Sequence, residues 1–168
     1  MAIRLAVRFS TLTVCLGIML WSGCARFMQP EVGAVARKEA RIAVAGDVAA
    51  KSWETGDLIL KYSLALKDES FTLTGKIAFA DSLTNSFPRV GNFFFYLSFL
   101  DDGGKVIETV DLSPVVNTLG AVSDSIPVRV SCVRPPGSNA IVFNYRGRFF
   151  DNQRESSGSW DIHYFPFN

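Results

Sequence analysis

Leu58-Ile59-Leu60-Lys61-Tyr62-Ser63-Leu64-Ala65-Leu66 is followed closely by Phe71-Thr72-Leu73-Thr74-Gly75-Lys76-Ile77-Ala78-Phe79. In the first stretch Leu58, Leu60, Tyr62, Leu64 and Leu66 fall on alternate positions. In the second, Phe71, Leu73, Gly75, Ile77 and Phe79 do the same. A period of two puts alternate side chains on opposite faces of an extended chain, so each stretch reads as a half-buried strand. Lys67-Asp68-Glu69-Ser70 between them supplies a polar hairpin loop.

The same logic extends toward the carboxyl end. A polar loop is expected from Asp81 to Asn92, with Pro88 and Gly91, before an apolar strand from Phe93 to Leu100. Asp101-Asp102-Gly103-Gly104 offers residues that tolerate positive φ, as a tight hairpin requires, and Lys105 to Leu112 returns. A Ser- and Gly-containing connection leads to a strand at Ile126 to Val133. Arg134-Pro135-Pro136-Gly137-Ser138 breaks the chain before Ala140 to Phe150, where Ile141, Phe143, Tyr145, Gly147 and Phe149 share a face. The last strand runs from Trp160 to Phe165. About seven short strands separated by turns predict an all-β protein, an antiparallel immunoglobulin-like β-sandwich over residues 56–168. A small closed barrel is the alternative. With 48% hydrophobic and 20% charged residues the chain can bury a core and is not a disordered one.

The amino terminus has a different character. Arg4 and Arg8 precede an apolar run from Phe9 to Trp21, shorter than the ~20 residues that cross a bilayer. Charge, apolar run and small residues in that order read as a secretory signal peptide over residues 1–23. Leu20-Trp21-Ser22-Gly23-Cys24 resembles the lipobox of bacterial lipoproteins, with Trp21 where that family usually has Leu. The resemblance implies diacylglycerol transfer to the Cys24 thiol, cleavage before Cys24, and a membrane partner reached through that lipid anchor. Ala25, where an Asp would favour retention at the inner membrane, points to an outer membrane facing the periplasm. Residues 24–55 are Ala-rich with few large apolar groups and read as a lipidated tether. Ala34 to Ala45 has the composition for one or two helical turns, and a docking helix is the second reading.

Charge and chemistry exclude several classes. The chain has 17 basic and 16 acidic side chains. Arg4 and Arg8 leave with the leader, so the remainder is close to neutral and carries no nucleic-acid footprint. Of three cysteines, Cys15 falls in the leader and Cys24 takes the lipid. Cys132 remains, in phase with Ile126, Val128 and Val130, and reads as a core thiol. His163, the only histidine, alternates with Trp160, Ile162 and Tyr164 and is expected at the surface. A zinc site needs three or four ligands, so no metal or cofactor is expected. Asp101 and Asp102 read as turn residues rather than a calcium loop. Arg146 and Arg148 read as a solvated stripe. No nucleophile–base set is visible, and the chain is expected not to be an enzyme.

Phe93-Phe94-Phe95-Tyr96-Leu97-Ser98-Phe99-Leu100 is apolar on both faces. One face enters the sandwich; the other, with Phe94, Tyr96 and Leu100, needs a cover. The chain itself is the first expectation for that cover, and an envelope protein partner or an apolar ligand the second. Leu73-Thr74-Gly75-Lys76-Ile77 and the run from Phe95 to Val106 resemble FxLYD-type immunoglobulin-like domains of prokaryotic surface proteins and lipoproteins. The likeness departs from the family's namesake run, because Ser98 follows Leu97. It implies a fold and no activity. The expected function is a lipid-anchored, non-enzymatic accessory or protein-binding module of the cell envelope. A carrier of an apolar ligand and an uncharacterised envelope enzyme are the alternatives.

Overall fold

The computed structural model describes residues 29–116, 121–151 and 158–168. Within them nine strands pair into two antiparallel sheets. One sheet holds, side by side, β2 (Val48–Glu54), β3 (Leu58–Lys67), β4 (Ser70–Phe79) and β7 (Ile126–Val133). The other runs from β8 (Ala140–Phe150) through β5 (Arg89–Leu100) to β6 (Val106–Asp111). Two strands share the remaining edge of β8: β1 (Ile42–Ala43) along Ala140 and Ile141, and β9 (Ser159–Tyr164) along Tyr145 to Phe150. With β3, β4 and β7 in one sheet and β6, β5, β8 and β9 in the other, the order follows an immunoglobulin-like Greek key with β2 added at an edge.

The alternation in β3 and β4 becomes geometry without a slip. The two strands pair from Leu58 opposite Phe79 to Lys67 opposite Ser70. Leu58, Leu60, Tyr62 and Leu64 are buried, while Ile59, Lys61, Ser63 and Ala65 are exposed. Asp68 closes the two-residue turn at φ 54°, the sign that a primed hairpin turn can require at its first position. At the next hairpin the Gly104 amide donates to the Asp101 carbonyl at 2.9 Å, and Gly104 sits at φ 83°. A side chain there would also displace the Arg41 guanidinium, but it is the positive φ that calls for glycine.

Aromatic rings hold the sheets together. Trp53 of β2 meets Phe95, Phe143, Tyr145 and Tyr164 at centroid distances from 5.2 to 6.2 Å. Phe71 meets Phe99 edge-on at 5.0 Å, and Phe79 meets Phe93 and Phe149 in the same manner. Tilted and edge-to-face pairs of this kind add to the area that they bury.

Four sequence expectations change. There are nine strands, not about seven, because β1 and β2 lie in the stretch read as a tether. The sandwich therefore begins before residue 56. The tether reading of 24–55 gives way over its described part, where Trp53 anchors β2 and a bulge between Val48 and Lys51 interrupts the period. The helical content of Ala34 to Ala45 is one 3-10 turn at Lys38–Ala40, and β1 follows it. Most of the segment's hydrogen bonds go elsewhere: Gly33 and Ala36 donate to Val106 and Gly104, and Arg37 to Pro166. The loop from Asp81 contains a short helix, α1 (Asp81–Ser86), and β5 starts at Arg89. The segment read as a signal peptide, with its Trp21, and Cys24, read as the lipidation site, lie outside the described residues.

Candidate binding face

The outer faces of the two sheets differ. On the five-stranded sheet the outward phase of β5 is Phe94, Tyr96, Ser98 and Leu100. Leu100 is fully buried in a second small core with Ala36, Ala40, Val106 and Val142, against which Phe167 packs. Tyr96 is also buried, and burial, with the nearby Asp111 charge, pushes its phenol pKa up. The Ser98 and Thr109 hydroxyls satisfy each other at 2.8 Å. Only Phe94 reaches solvent, at 37% exposure. Of the three residues expected to need a cover, Leu100 is closed over by the chain's own amino- and carboxyl-terminal segments. The three do not form an open surface together.

The four-stranded sheet has no such cover among the described residues. Its outer face is a trough of about 900 Å³, open to solvent. The floor is low and mostly apolar: Ala50, Ile59, Ala78, Pro127 and the bare backbone of Gly75. Four cations line it: Lys51, Lys61, Lys76 and Arg129. Register explains their meeting. A two-residue turn at Asp68-Glu69 sets Lys61 directly opposite Lys76. On the next strand Pro127 pairs with Lys76 and Arg129 with Thr74, so Arg129 is a diagonal neighbour of Lys76. Like charges placed opposite each other in a sheet destabilise it.

Among the described residues no carboxylate lines the trough. Glu54, opposite Ile59, lies nearby and accepts a 3.0 Å hydrogen bond from the Ser52 hydroxyl. The ion pairs Arg37–Glu39 and Arg148–Asp161 include none of the four cations. The face thus combines apolar contact area with unbalanced positive charge, an arrangement that suits an amphipathic anion.

A second concavity of about 290 Å³ lies where Trp160 stacks on Phe87, with Asp57 and Ser82 in its wall. Asp57 there accepts a 2.7 Å hydrogen bond from the Tyr145 hydroxyl, so one of its oxygens serves the fold.

The remaining candidate groups are dispersed. His163 is exposed and pairs across strands with Arg146. Arg148 holds Asp161 through two hydrogen bonds, which lowers that carboxyl's pKa below the usual range. Asp101 accepts from the Lys105 amide at 2.8 Å, and Asp102 from the Asn139 side chain, as turn residues do. Cys132 is half-buried, with its pKa raised by burial and then by Glu108. Among the described residues no three His, Cys, Asp or Glu side chains gather to hold a metal. Compared with protein-family models, curated proteins and solved structures, the chain matches none.

The trough escaped sequence reasoning although half of its signal was present. Once the turn is fixed at Asp68-Glu69, Lys61 must face Lys76. What periodicity does not reveal is that β7 lies beside β4 and brings Arg129 to the same face.

Proposed function

We propose that the chain is a lipid-anchored, non-enzymatic binding module of the cell envelope, held at Cys24 and offering the Lys61–Lys76 trough to a partner. The observation that carries the binding role is the trough itself, an open concave face with four cations and, among the described residues, no carboxylate in its lining. The anchor rests on the order Arg4, Arg8, apolar run, Ser22-Gly23, Cys24. Two or more acyl chains hold a protein stably on a membrane where one does not. Ala25 in place of an aspartate favours the outer membrane, facing the periplasm.

Two measurements test the reading. Cys24→Ala moves the chain from the membrane to the soluble fraction of a Gram-negative host; a variant that stays membrane-bound with unchanged mass rejects the anchor. A photo-crosslinking residue at Thr74, inside the trough, yields a discrete protein adduct in intact cells, and Lys61→Glu with Lys76→Glu abolishes it. The absence of any adduct rejects the trough as the binding surface.

A further inference from the structure

We infer that the trough takes an acidic amphipathic helix of a partner protein, its apolar stripe on the floor and its carboxylates against Lys61, Lys76 and Arg129. This rests on the binding-module reading above and names the occupant of the same face.

Size and shape come first. Four strands at ~4.8 Å spacing span roughly 14 Å, and Ile59 to Ser63 along β3 covers about 13 Å. An α-helix is ~10 Å across with side chains and rises 1.5 Å per residue, so two to three turns fit. The trough is open above. An acyl chain laid in it would keep one side in water. A helix with one apolar stripe buries that stripe and leaves its polar face hydrated.

Charge sets the rest of the chemistry. Lys61 and Lys76 stand opposite each other on the two central strands, one rung from the Ile59–Ala78 pair, with Arg129 diagonal, and carboxylates along that edge of the stripe would relieve the repulsion.

The chain's own helix-forming resources do not match. Residues 1–28 contain Arg4, Arg8 and Arg26 and no Asp or Glu, so their charge has the sign of the trough. Helix α1 has six residues and one acid, Asp81.

An anionic membrane is also disfavoured. Gly33 and Ala36 hydrogen-bond to the five-stranded sheet, and Ala36 and Ala40 lie on that sheet's outer face. The trough is on the other side of the sandwich from this segment, which follows the end of the chain at which the membrane anchor is proposed.

The test uses the full chain in phosphatidylcholine nanodiscs. The probes are an 18-residue amphipathic helical peptide with a Leu stripe and Glu flanks, its Lys-flanked twin, and nanodiscs doped with phosphatidylglycerol. The Glu-flanked peptide binds at least about tenfold more tightly than its twin and weakens as salt rises. Lys61→Gln with Lys76→Gln weakens the preference, because Lys51 and Arg129 remain, and Lys61→Glu with Lys76→Glu, which leaves two cations facing two carboxylates, removes it. Circular dichroism confirms that both variants fold. Equal binding of the two peptides overturns the proposal, as does phosphatidylglycerol protecting Lys61 and Lys76 from acetylation when the Glu-flanked peptide does not. If the peptide fails while the Thr74 crosslink to a protein persists, the binding module stands and only this occupant is wrong.

Discussion

The Tyr145 hydroxyl donates to Asp57 Oδ2 at 2.7 Å and lies 2.7 Å from the Thr55 hydroxyl. Tyr145 belongs to β8 in one sheet, and Thr55 and Asp57 to the β2–β3 loop of the other. Thr55 Oγ1 in turn accepts from the Asp57 and Leu58 amides. A single phenol therefore pins the loop that connects β2 to the sandwich. Tyr145→Phe leaves the ring packed and removes the pin. It is expected to lower stability by about 1–2 kcal/mol, read as a shift in the urea midpoint with unchanged slope.

Alkaline pH probes the same group. Burial raises the pKa of Tyr62, Tyr96 and Tyr145 above the ordinary value, most of all for Tyr145. The folded state thus keeps these phenols protonated where the unfolded state ionises them. Their contribution is complete below the unfolded value near pH ~10 and is lost as pH rises beyond it. Urea midpoints followed by circular dichroism should be flat with respect to these groups up to about pH 9.5 and then fall. Tyr145→Phe should shallow that fall.

Neighbouring positions on β5 should respond very differently to truncation. Phe95 is fully buried between the sheets, and Phe94 is 37% exposed on the outer face. Phe95→Ala is expected to cost about 3–5 kcal/mol. Phe94→Ala should cost about 1 kcal/mol or less, as surface substitutions do. Equal losses in thermal unfolding would mean that the two faces are not distinguished as described.

The trough predicts a gain of stability at the expense of binding. Lys76→Glu replaces a like-charge cross-strand pair with an opposite-charge one facing Lys61. Stability should rise by about 0.2–1 kcal/mol. Affinity for an acidic helical peptide should fall in the same variant. A loss of stability would show that the opposed lysines are not repelling each other.

Much of the fold was legible because β3 and β4 alternate strictly and their turn fixes the register. β2 was not, since only Trp53 among small and charged residues signals burial there and the bulge near Ala50 breaks the period. The double-sided apolar run from Phe93 to Leu100 announced a need for cover. The residues that meet it near Leu100, Ala36 and Ala40, are too small to announce burial themselves, although Phe167 contributes beside them. Of the candidate site, the Lys61–Lys76 opposition follows from the turn alone. Arg129 joins them only through the β4–β7 pairing, a long-range contact that no local pattern encodes.

The position of β8 also sets an order in time. β5, the most apolar strand, has β6 on one edge and β8 on the other, and both β1 and β9 dock only on β8. Synthesis from the amino end delivers β5 long before Ala140 to Phe150 exist to cover its open edge. The five-stranded sheet therefore closes only when nearly the whole chain is available, and contacts this distant in sequence make closure slow. Under the export that the proposed signal peptide implies, that delay would keep the chain from folding before it has crossed the membrane.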